Sequence, residues 1–155
     1  MSMKNVNEQI EWNGQIHVVI KRKDGTTEEV SMHNLITDVG KQLLRDALAG
    51  TASDAKIKYV AVGNSNTAPA AGDTVLGNEI FRKAVTTYST PSADSLVTTV
   101  VLAPGDVNEQ IEEIGWFAGP EATNTSGSGI MIARVLYSHL KNDLEQIQIE
   151  RTDTL

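Results

Sequence analysis

Cysteine is absent from the 155 residues, which excludes thiol nucleophiles, thiolate metal sites, iron–sulfur clusters and disulfides. Basic residues are scarce: 13 stand against 20 acidic ones, for a net charge of −7. The tightest basic run, Lys21-Arg22-Lys23, lies beside Asp24, Glu28 and Glu29 and reads as a solvated turn-flanking cluster. A polyanion would therefore meet repulsion, and nucleic acid is not an expected partner. Long apolar runs are missing too. None approaches the roughly 20 residues of a membrane helix, and the polar start, Met1 to Gln9, lacks the apolar core of a secretory signal. A soluble protein made in a cytoplasm, with no membrane partner, is the expectation.

Chemistry-bearing patterns are thin. His17, His33 and His139 fall on separate predicted elements, without a His-x-Glu, His-Glu-x-x-His or Gly-x-Ser-x-Gly arrangement. The glycine-rich stretches at 63–72 and 119–129 lack the Lys-Ser/Thr and following helix of a phosphate cradle. Asp73, Asp94, Asp106 and Asp143 lack the spacing of a calcium loop and suit caps and turns. Glu112-Glu113, on a predicted strand, must point to opposite faces and cannot share a proton; solvated edge or interface carboxylates are expected. These patterns predict no enzyme activity, cofactor or metal.

What is present is β pattern. Gln15–Lys21 and Thr27–Met32 flank Asp24-Gly25 and predict a hairpin with a tight primed turn. Two-residue alternation continues through 57–63, 85–88, 96–102, 111–117, 130–137 and 144–149, giving about eight strands. Leu76–Arg82 reads as a helical turn or an extended approach. One helix is predicted, from the three- and four-residue recurrence of Leu35, Val39, Leu43, Leu44, Ala47 and Leu48, stopped by Gly50 and capped by Asn34 or Thr37. Gly40 inside it implies close backbone packing or a later helix start. The loops at 63–72 and 119–129 carry too few apolar groups for core and should lie on the surface.

The predicted fold is mainly β, an antiparallel β-sandwich of about eight strands with one α-helix after the first hairpin. Residues 1–14 would form an arm, because Val6, Ile10 and Trp12 are too little apolar area to offset ordering within one subunit. Residues 15–155 would form a single sandwich domain. The three apolar arm residues could add to a partner's open sheet edge, with Trp12 as anchor. Aromatics are few, two Trp, three Tyr and two Phe, and Trp116-Phe117 on one strand must diverge. One should enter the core and the other lie at an edge or meet a neighbour. The candidate interface residues are thus Val6, Ile10, Trp12, Trp116 and Phe117.

Five blocks, Leu35–Gly50, Ile57–Gly63, Thr67–Lys83, Ile111–Phe117 and Gly129–Val135, together resemble small tail-fibre-type structural proteins of tailed bacteriophages and prophages. The resemblance spans roughly residues 34–154. It implies a virion location, other virion proteins as partners, and a homo-oligomer with a trimer favoured. The sequence ends at Leu155 before a long fibrous extension, and loop 121–128 is lengthened by Gly, Ser, Thr and Asn. Those departures point to a short fibre adaptor or tail component, with a head-decoration protein as the alternative. A carbohydrate-binding module contacting a host-surface glycan through Trp12 or Trp116 is a further one.

Overall fold

The structure is a computed structural model that describes residues 11–155; Val6 and Ile10 lie outside the described residues. It is a sandwich of two antiparallel five-stranded sheets with one helix after the first strands. In chain order the elements are β1 Asn13–Arg22, β2 Thr27–His33, β3 Leu35–Ile36, α1 Asp38–Leu48, β4 Ile57–Gly63, β5 Glu79–Ala84, β6 Thr87–Ser92, β7 Ser95–Leu102, β8 Gln110–Ala118, β9 Ile130–Leu140 and β10 Glu145–Thr154. Sheet A runs β2-β1-β10-β7-β6 and sheet B runs β3-β9-β8-β4-β5.

Among the described residues ten strands replace the eight expected. The two additions are β3, only two residues long, and β5, where the 76–82 segment turns out extended. The sandwich also starts before residue 15. Asn13 and Gly14 pair with Thr154 and Asp153 as the first rungs of the β1–β10 ladder, so the arm boundary at 14 is corrected.

Period-two patterning builds the main core. Along β10 every second residue is buried, from Glu145 through Ile147, Ile149 and Arg151 to Asp153, and Ile16, Val18 and Ile20 continue that face on β1. From sheet B come Val60, Val62, Ile114, Trp116, Val135 and Tyr137. The β8–β9 ladder shifts register between Ile111 and Glu113, with the extra residue on β9, since Ile111 pairs with His139 and Glu113 with Leu136. Ile111 joins Ile114 and Trp116 in the main core.

The hairpin turn also departs from expectation. Gly25 has φ +87° while Asp24 stays at negative φ, and Gly25 N donates to Arg22 O at 3.0 Å. A three-residue turn ending on a left-handed glycine results, not the two-residue primed turn. Asp24 instead accepts from the Thr26 N–H and hydroxyl.

Helix α1 begins at Asp38, the later start. Thr37 caps it, accepting from Gly40 N at 3.0 Å and donating to Met131 O at 2.5 Å. Leu43 enters the core, while Leu44 is only partly buried and Leu48 is 84% exposed, so the helix contributes less core than its apolar stripe suggested. Gly40 packs on the β9 backbone: a Cβ there would stand 2.7 Å from Ile132 O and 2.8 Å from Ile132 Cα. Alanine in a helix ordinarily gains about 1 kcal/mol over glycine. Here overpacking reverses the sign, and Gly40→Ala should lose about 1–3 kcal/mol in urea unfolding; a gain would show that helix and sheet can slide apart.

Candidate functional site

Strand β8 places Trp116 and Phe117 on opposite faces, as expected of neighbours, yet both are fully buried. The expectation that one of them would reach an edge or a partner is corrected, because sheet B is covered on both faces. Trp116 fills the inter-sheet core, with the Arg151 guanidinium 5.2 Å from its ring centre. Phe117 belongs to a second, smaller core with Ala61, Leu76, Ala122 and Met131 on the outer face of sheet B. Ala122 comes from the 119–129 loop, which therefore lies at the surface and still supplies core, and Leu76 comes from the connection just before β5.

Ionisable side chains pin these loops. Glu113, fully buried, accepts from the backbone N–H groups of Ser65, Gly77 and Asn78 and from Arg134 Nε at 2.8 Å. Gly63 makes room for it, since a Cβ there would lie 2.3 Å from the Glu113 carboxylate. Arg134 reaches Asp73 at 3.4 Å, and its Nη2 is buried with no hydrogen-bond partner. The reading of Glu113 as a solvated carboxylate is therefore corrected; the cover over sheet B desolvates it, and the three amides together with Arg134 compensate. On the edge strand β5 Arg82 binds Glu79 through two nitrogens at 2.7 and 2.8 Å and donates to Thr123 O and Ser128 O. Glu79 also accepts from Gly127 N. Burial alone would raise the Glu79 carboxyl, but the Arg82 bonds and the Gly127 N–H outweigh it and hold it below the usual range.

Trp12 is partly buried against the main core, and its indole N–H donates to Asp153 at 2.7 Å. Asp153 in turn holds buried Arg151. This satisfied chain makes Trp12 part of its own subunit's wall, which corrects its assignment to a detached arm. Trp12 lines a half-open apolar groove of about 310 Å³ with Leu43, Leu44, Ile57, Tyr88, Leu96 and Leu155. Lys56, Asp94 and Asp153 are the charged groups at this groove. Its lining suits an apolar group carrying a polar end.

At the opposite end of β10, His139 Nε2 lies 2.6 Å from the buried Glu145 carboxylate, which also faces Arg22 at 3.5 Å. Buried Lys141 donates to Pro104 O and Asn108 Oδ1. No spacing pattern marks this cluster, because its members come from β1, β9, β10 and the connections between them. Among the described residues no group of three or more His, Asp and Glu side chains is placed to hold a metal.

Tyr137 stacks on His139 at 6.1 Å and is 8% exposed. Burial first, then the Glu28 and Glu145 carboxylates, push its hydroxyl from 10.0 up to about 12. The folded state thus holds this proton more tightly than the unfolded chain. Its contribution is whole below pH 10 and is lost as pH rises through about 12. Tyr137→Phe should flatten the fall of the urea midpoint across that window; an unchanged slope would show that the phenol does not ionise with unfolding.

No protein-family model, curated protein or solved structure matches the chain. No helix among the described residues is long and apolar enough to cross a membrane.

Proposed function

We propose that this chain is a structural subunit of a tailed-phage particle, a tail-fibre or fibre-adaptor component that acts through protein–protein contacts as an oligomer. One observation supports the reading above the rest. The five blocks that carry the resemblance are scattered between Leu35 and Val135, yet in the fold they supply β3 with α1, then β4, β5 with its preceding loop, β8 and β9. Those strands are the whole of sheet B. The resemblance therefore follows one structural unit and its cover, as a shared scaffold would.

The side chains offer binding surfaces before chemistry. Glu113, Arg134, Glu79 and Arg82 are engaged in holding loops to sheet B. A rigid surface of that kind suits repeated packing on a particle, where symmetry multiplies weak contacts. The glycan reading loses its platforms, since Trp116 is fully buried and Trp12 is a partly buried wall residue whose N–H is bound to Asp153.

Antibody-gold labelling and cryo-electron microscopy of particles from the host of origin test this reading. Label at the tail or its fibres is the expected result. Regular density on the head would instead establish decoration of the capsid, and particles without the protein would overturn a virion role.

A further inference from the structure

We propose that β2 is a self-complementary edge that pairs antiparallel with β2 of a second copy about a two-fold axis at Val30, joining two A sheets into one. This stands on edge geometry alone and does not rest on the particle reading.

Among the described residues four strands end the sheets, and three are poor templates. β3 has two residues, β6 contains Pro91 and a register shift between Ser89 and Ser92, and β5 follows a shift at Val62/Gly63. β2 pairs with β1 without any shift over all seven of its residues and carries no proline, bulge or lysine. Those are three of the devices by which edges are normally blunted, and the charged residues it does carry, Glu28 and Glu29, are bonded to Arg22 and His17 on β1. It is exposed along almost its whole length.

The direction of its free backbone groups follows from the bonds at either end of the hairpin. Arg22 N donates to Thr26 O at 3.0 Å and Asn34 N to Gly14 O at 3.3 Å. Antiparallel bonding alternates, so the even-numbered residues of β2 turn their N–H and C=O toward β1. Thr27, Glu29, Ser31 and His33 turn theirs outward.

A partner strand must present outward groups to outward groups, which permits only registers that pair odd with odd. Centring on Val30 sets Glu29 opposite the partner's Ser31 and Thr27 opposite the partner's His33, and uses all of β2. Sliding two residues one way faces Glu29 against its own copy, and sliding the other way leaves Thr27 without a partner. Like charges directly opposite are unfavourable, so the Val30-centred register wins on both charge and length. Val30, 36% exposed, then meets the partner's Val30 at a close, non-hydrogen-bonded site. The contact is two-fold, so the trimer implied by the resemblance would need a separate interface, and both together would give a hexamer.

The absence of cysteine makes a clean test available. At a non-hydrogen-bonded antiparallel site the two Cα atoms lie about 4.5 Å apart, inside the roughly 4.4–6.8 Å window of a disulfide. Full-length Val30→Cys under mild oxidation by oxidised glutathione should become largely a covalent dimer, while Glu29→Cys, offset from its own copy and on the other face, should stay mainly monomeric. Ser31→Pro removes one outward N–H without touching the β1 ladder. The unmodified chain should show a concentration-dependent rise in sedimentation mass, and the proline variant should lose it at an unchanged melting temperature. The proposal is overturned if Val30→Cys remains monomeric or if Glu29→Cys cross-links equally well. That readout stands even if the proline variant fails to fold.

Discussion

Glu113→Ala should cost about 3–5 kcal/mol, the range found when one partner of a buried ion pair is removed. The substitution strands Arg134, whose side chain is 3% exposed, with only Asp73 at 3.4 Å. It also leaves the amides of Ser65, Gly77 and Asn78 without their acceptor. The damage should be local as well as global: hydrogen exchange should quicken first in 64–78, the loop that those amides hold down. Glu113→Leu with Arg134→Met separates the two causes. Removing both charges should recover part of the loss, since apolar replacements of a buried pair are often neutral, but the three loop amides stay unsatisfied, so recovery should be incomplete. A fully stable double variant would show that the amides find water. A single variant of unchanged stability would show that the cover of sheet B is not held by this carboxylate.

Trp116→Ala should be comparably severe, about 3–5 kcal/mol for a fully buried indole. Trp116→Phe should lose less than half as much. The ring of Phe still fills most of the inter-sheet space, and Trp116 Nε1 is buried without a hydrogen-bond partner, so the smaller side chain also removes an unsatisfied donor. Arg151 loses part of its aromatic face in either case. Chemical denaturation of both variants, beside sedimentation at a fixed concentration, distinguishes core from contact. Loss of stability with unchanged association is the expected pattern. Unchanged stability with lost association would restore Trp116 to an interface.

Local pattern located most elements. The alternation of Ile147, Ile149 and Arg151 with polar residues marks β10, and the spacing through Leu43 and Ala47 marks α1. Both signals are carried by neighbours a few residues apart, so they survive without knowledge of the fold. β3 and β5 escaped because Leu35–Ile36 is too short to show a period and because Glu79–Ala84 mixes charged and apolar residues on an edge. The candidate site was harder to read. Trp116, Phe117 and Glu113 could each be given a face, but whether that face is wet depends on what covers it. The cover of sheet B comes from loops with few large apolar residues, of which Leu76 and Ala122 enter the smaller core.

Composition and periodicity were enough to specify a cysteine-free, acidic, antiparallel β protein with one helix near Leu43, because hydrophobic alternation acts over a few residues and needs no partner. Burial of charge was settled by long-range pairing. Glu113 meets Arg134 across 21 residues and Asn78 across 35, and Trp12 meets Asp153 across 141. The same holds for the open edge: Thr27–His33 is written plainly as a strand, but its having one neighbour instead of two follows from where β10 and β9 lie. A carboxylate can be buried only where distant donors converge on it, and a strand is an edge only by the order of the finished sheet.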